Sequence, residues 1–119
     1  MLKKQNRFHG RATIKKVMRS GGVTRNHLFS LKYGAAGHRN TPRVAVVVSK
    51  KIAKSAVIRN RIRRRLYEAI RLRLPQLSPQ LELVVIVTSP GIHILSTKEL
   101  DDAIDQALRS AGLNKTSEK

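Results

Sequence analysis

Residues 43–73 read RVAVVVSKKIAKSAVIRNRIRRRLYEAIRLR, and a change of period inside this stretch decides the fold. The opening RVAVVVS (43–49) is an almost continuous β-branched run, the pattern of a strand covered on both faces. From Ser55 onward the apolar residues adopt helical spacing. At about 100° per residue, Ile58, Ile62, Leu66, Ala69 and Ile70 share one face, Asn60, Arg64, Tyr67 and Arg71 lie opposite, and Arg59, Arg61, Arg63 and Arg65 flank the stripe. The helix should end before Pro75, which cannot continue it. A second β-branched run, LVVIVTS at 83–89, follows. Strand, helix and strand are thus joined by enough chain for a crossover, which makes the two strands parallel neighbours in the centre of a sheet. A right-handed crossover is the default for such a unit.

Outward from this unit the elements are shorter. Residues 27–33, HLFSLKY, place Phe29, Leu31 and Tyr33 on one side of a strand and Ser30 and Lys32 on the other. The segment GAAGHRNTP at 34–42 has turn chemistry and reads as an exposed hairpin connection. Before it, Ile14, Val17 and Met18 fall at helical spacing over 11–19, and Gly21 and Gly22 stop that helix. At the far end Ser96 and Glu99 form a capping box. Leu100, Ala103, Ile104, Ala107, Leu108 and Ala111 give an apolar stripe over 97–111, and Gly112 suits the C′ position. The acids Glu99, Asp101, Asp102 and Asp105 crowd the half of this helix where its dipole favours negative charge. The expected architecture is a single-domain α+β sandwich over 1–119, in the order αβββαβα, with loose tails at 1–9 and 114–119.

Charge then points to a partner class. Of the 119 residues, 25 are Lys or Arg and 7 are Asp or Glu, a formal charge of +18. Residues 50–73 hold ten basic side chains against Glu68 alone. A solvated helix face would intersperse acids four residues from its bases to relieve repulsion, so this density calls for a polyanion. Arginine suits the task because its planar fork bonds phosphate oxygens bidentately and stacks on bases. The Asn60 amide adds a group that both donates and accepts at a base edge or ribose hydroxyl. With 40% hydrophobic residues the chain also has the material for a core, unlike a disordered basic tail.

Other chemistries find little support. There is no cysteine, hence no disulfide framework and no thiolate metal site. His9, His27, His38 and His93 lack metal-ligand spacing and sit beside no candidate nucleophile, so they read as surface or packing residues. Gly21-Gly22 is a helix stop, since the phosphate-loop pattern is missing. No acid precedes Glu68, which argues against an autonomous metal nuclease with converging carboxylates. No catalytic or metal-binding residue is assigned. The N-terminal sequence lacks an apolar targeting core, and no segment approaches eighteen consecutive apolar residues, so a cytoplasmic protein is expected.

Basicity alone does not choose between DNA and RNA. The stretch Val48-Ser49-Lys50-Lys51, followed by Ala56-Val57-Ile58-Arg59-Asn60-Arg61-Ile62-Arg63-Arg64, closely resembles the signature of the bacterial ribonuclease P protein subunit. In that family a strand ending in Ser-Lys-Lys leads into a helix bearing the Arg-Asn-Arg motif. Asn6-Arg7-Phe8 and the position of Gly21 agree, and the resemblance spans roughly residues 3–111. It implies a left-handed β-α-β crossover in place of the default. It also implies a subunit that binds a catalytic RNA and the 5′ leader of precursor tRNA, assisting endonucleolytic release of the leader. Hydrolysis would belong to the RNA, which would hold the Mg2+ ions. The same resemblance implies that Lys54, Arg59, Asn60, Arg61, Arg63, Arg64 and Arg65 grip the catalytic RNA. Phe8, Ile14, Met18, Tyr33, Ser49, Lys50 and Lys51 would line the leader cleft. Ile14 and Met18 stand where many relatives carry Phe, so this cleft should rely more on charge and less on stacking. A ribosomal RNA-binding protein of related fold is the alternative reading.

Overall fold

The structure is a computed structural model that describes residues 22–35, 42–77 and 81–112. The helix expected at 11–19, and with it Phe8, Ile14 and Met18, lies outside the described residues, as do both tails and most of the 34–42 connection. The elements are β1 (Gly22–Arg25), β2 (Phe29–Ala35), β3 (Arg43–Val47), α1 (Ala56–Arg71), β4 (Leu81–Val87) and α2 (Thr97–Ser110), with single 3-10 turns at Leu74–Gln76 and Pro90–His93.

The four strands form one mixed sheet in the order β1-β2-β4-β3. β1 and β2 pair antiparallel, from Gly22 opposite Tyr33 to Arg25 opposite Ser30. Their turn is set by Asn26, whose side-chain oxygen accepts from the backbone N–H groups of Leu28 and Phe29, both at 2.8 Å. β4 pairs antiparallel with β2 and parallel with β3, the latter with Val44 opposite Leu83 and Val46 opposite Val85. The parallel strand-helix-strand unit is therefore present as expected.

Two strand placements differ from the sequence reading. β3 is an edge strand of the described sheet, so of the two β-branched runs only β4 is interior; a β-branched run records cover on both faces of a strand and says nothing of partners at its edges. The 34–42 segment is not a hairpin connection either, because β4 inserts between β2 and β3. The strand at 22–25 had no periodicity to reveal it beyond the Gly pair read as a helix stop.

The main core lies between one sheet face and the two helices. Phe29, Leu31, Val44, Val46, Leu83 and Val85 pack against Ile62, Leu66 and Ile70 of α1 and Leu100, Ile104 and Leu108 of α2. Each such side chain taken out of water contributes about 1.5–3 kcal/mol. Ile58 is partly buried on the same stripe. Tyr67 departs from the expected outward position: it packs against this core, and its hydroxyl accepts from the Val46 N–H at 3.1 Å. The side chain is long enough to reach round the flank of the helix to the β3 edge.

α2 begins with the expected capping box, Ser96 accepting from the Glu99 N–H at 3.1 Å while the Glu99 carboxylate accepts from the Ser96 N–H. It ends at Gly112, whose φ of 69° is a left-handed conformation that glycine adopts without strain. The remaining acids do more than complement the dipole. Arg73, with only 12% of its side chain exposed, donates to both Asp105 oxygens at 2.6 and 3.1 Å, and lies 3.5 Å from Asp101. This cluster ties the end of α1 to α2, and Arg73 also donates to the Ala69 carbonyl at 2.7 Å.

The hydrogen bond from Arg73 holds the Asp105 carboxyl below its usual pKa, against the opposing effect of burial. A carboxyl depressed in the folded state adds stability above its unfolded pKa of about 3.9 and loses it as pH falls through the folded value. Because 43% of the Asp105 side chain is exposed, solvent screening limits the contribution to about 0.5–1 kcal/mol. Urea denaturation of the wild type and Asp105→Asn is expected to differ by that amount at pH 7. The two should converge as pH falls through the folded-state pKa of Asp105, where the carboxyl takes up its proton and the ion pair is lost.

Candidate nucleic-acid interface

Apart from Arg73, bound to α2, the basic residues of the 49–73 stretch fall into three groups according to what the fold gives them to bond. The loop leaving β3 is the first. Its Ser49 carbonyl accepts from the Ile52 and Ala53 N–H groups at 3.1 and 3.3 Å, a tight turn that leaves Lys50, Lys51 and Lys54 exposed. Ser55 then caps α1 by accepting from the Ile58 N–H at 3.4 Å.

The second group is held within the fold, by backbone carbonyls or by neighbouring side chains. Arg59 donates to the carbonyls of Ala53 and Lys54, each at 2.9 Å, fastening the lysine loop to the first turn of the helix. Arg65 donates to the carbonyls of Ile92 and Leu95, each at 2.5 Å, clamping the turn that enters α2. Arg63 bonds the Asn60 side-chain oxygen, so the Asn60 amide N–H groups are what that side chain presents outward. Arg71 is bonded to Glu68, donating through Nε at 3.0 Å. That bond raises the Arg71 pKa and lowers that of Glu68.

Arg61 and Arg64 form the third group. Both are exposed, and neither makes a hydrogen bond or ion pair within the described fold. They stand three residues apart on one helical face, with all their guanidinium donors available. Of the residues that the sequence reading assigned to catalytic-RNA contact, Lys54, Asn60, Arg61 and Arg64 are exposed, while Arg59, Arg63 and Arg65 are only partly so.

The second face of the sheet is also basic. Register puts Val23, Lys32, Val84 and Ala45 in one row, Arg25, Ser30, Ile86 and Val47 in the next, and Gly34, Glu82 and Arg43 in a third. Ala45 and Val84 are buried there against a half-buried Ile86. Glu82, buried at the end of this face, lies 3.9 Å from Arg43. Tyr33 is on the opposite face: its ring covers Gly22, where a Cβ would meet it at 2.5 Å, and it packs against the main core. Sequence reasoning did not single out Arg25, Lys32 and Arg43. Strand alternation already set Lys32 apart from Phe29 and Leu31, but which strands adjoin β2 decides that the three cations share a face.

The fold and this surface define a basic α+β domain that displays cations on a helix, on the loop before it and on one sheet face. Among the described residues no helix is long and apolar enough to cross a membrane, and no group of three or more His, Cys, Asp or Glu is placed to hold a metal ion. A family model for ribonuclease P matches residues 2–112, and the chain belongs to that family. It is 40% identical over 111 residues to the ribonuclease P protein component of Pseudanabaena sp. (strain PCC 6903), covering 93% of this chain and 95% of that protein. The corresponding protein of Roseiflexus castenholzii is 31% identical over 112 residues, covering 94% and 90%. In fold, the chain resembles the Staphylococcus aureus RNase P protein, with a TM-score of 0.81 at 20% identity over 92% of this chain and 97% of the other. It also resembles the Thermotoga maritima RNase P protein, with a TM-score of 0.74 at 19% identity over 87% and 96%.

Proposed function

We propose that this chain is the RNA-binding protein subunit of a ribonuclease P in which the RNA is the catalyst, and that it assists removal of the 5′ leader from precursor tRNA. The observation that carries this reading is the pair Arg61 and Arg64, exposed on a packed helix and without a partner among the described residues, in a chain of the ribonuclease P family. Unpaired guanidinium groups fixed on a packed helix offer bidentate phosphate bonds at little entropic cost. Lys50, Lys51 and Lys54 extend the positive surface from α1 to the end of β3. The basic sheet face bearing Arg25 and Lys32 is a second surface, suited to a single-stranded leader held mainly by charge. Magnesium in this reading is held by RNA phosphates and serves the hydrolysis there. The protein contributes position and counter-charge.

The test mixes the protein with its cognate catalytic RNA at low magnesium and follows precursor cleavage. Stimulation over RNA alone is expected, with an affinity for precursor that rises as the first few leader nucleotides are added to mature tRNA. Full cleavage by protein alone, or no stimulation of the RNA, would overturn the reading. Stimulation without leader dependence would remove the sheet face from it.

A further inference from the structure

Between α1 and α2 runs a groove of about 570 Å³, within the range of about 300–1,000 Å³ typical of small-ligand sites. Arg61, Arg64 and Arg65 line its α1 side, Thr97 stands opposite, and Leu72 and Leu100 supply apolar surface. Two acids also border it, but each is engaged: Glu68 by Arg71 and Asp101 by Arg73. The charge open to a ligand is therefore that of Arg61 and Arg64. Arg65 offers something else. Its two terminal nitrogens donate to the Ile92 and Leu95 carbonyls, which fixes the guanidinium where it lines the groove. A planar cation held still is a stacking platform for a nucleobase. Leu72, 58% exposed at the groove, adds apolar contact that a phosphate backbone alone would not use.

We propose that this groove receives one unstacked nucleotide of the RNA held by α1. Its phosphate lies between Arg61 and Arg64, and its base lies over the Arg65 plane and against Leu72 and Leu100. The inference rests on α1 being an RNA-binding surface, and it adds that the RNA is bulged or single-stranded at this contact. Paired bases cannot enter such a groove without leaving their stack.

The test measures binding of the cognate catalytic RNA over a range of salt by the wild type, Arg61→Ala, Arg64→Ala and Leu72→Ala, with chemical probing of the RNA bases in each complex. Leu72→Ala is expected to weaken binding about tenfold, as loss of a base contact does, with the salt slope unchanged because no phosphate contact is lost. One base should change its reactivity on binding the wild type and fail to do so with Leu72→Ala. Truncating a side chain this exposed leaves the core intact, which superimposable urea curves would verify. If Leu72→Ala matches the wild type in affinity and footprint while Arg61→Ala and Arg64→Ala are impaired, the groove assignment falls and the RNA-binding reading stands. A shallower salt slope for Leu72→Ala would also overturn it, because the groove would then be holding phosphate and no base. Wild-type affinity in all three variants would remove both.

Discussion

Replacing Arg61 and Arg64 together by alanine is expected to weaken binding of the catalytic RNA by roughly a hundredfold or more, at about 1.5–3 kcal/mol for each charged hydrogen-bonding group lost. The slope of log affinity against log salt should become shallower by about two, one for each phosphate contact removed. Both side chains are exposed and make no bond among the described residues, so urea curves should superimpose on those of the wild type. Filter binding at four or five salt concentrations supplies both quantities. Weaker binding at an unchanged slope would mean that the arginines shape the surface without touching phosphate. Unchanged affinity would reduce them to solvated charges.

Arg65→Ala should behave in the opposite way, losing stability before it loses anything else. It removes two charged hydrogen bonds, to Ile92 and Leu95, and leaves both carbonyls beside a core that includes Ile92 and Leu100. A charged hydrogen bond contributes about 1.5–3 kcal/mol, and water reaching the freed carbonyls recovers part of it, so a loss of about 2–4 kcal/mol is expected. Against a total stability of about 5–15 kcal/mol for a domain of this kind that is a severe change. It should appear as a lower urea midpoint at unchanged m-value, with faster amide exchange in the turn that precedes α2. A midpoint equal to the wild type would show that the carbonyl clamp adds nothing to stability.

These two outcomes part company over side chains that look alike in the sequence. The period of Ile58, Ile62, Leu66 and Ile70 suffices to find the buried face of α1, because burial on a helix is a local geometric property. The caps at Ser96, Glu99 and Gly112 are legible for the same reason: each cap is completed within a few residues. The partners of the arginines are not local. Arg65 bonds carbonyls 27 and 30 residues away, and Arg73 finds Asp105 across 32 residues. No spacing within the helix could separate these from Arg61 and Arg64. Sheet order is hidden likewise. The alternation in 27–33 assigns faces correctly, yet that β4 enters between β2 and β3 is a long-range pairing, and it alone brings Lys32 onto one surface with Arg43. Tyr67 was misplaced because helical projection locates a Cβ and ignores the reach of the ring beyond it.

That tyrosine also bears on the edge of the sheet. The outer edge of β3 carries N–H groups that another extended chain could pair with, and unpaired strand edges are where soluble proteins begin to aggregate. The Tyr67 hydroxyl occupies the Val46 donor, and β3 is only five residues long, so the strand makes a poor template for a foreign one. One donor fewer is thus left at this margin for an incoming strand.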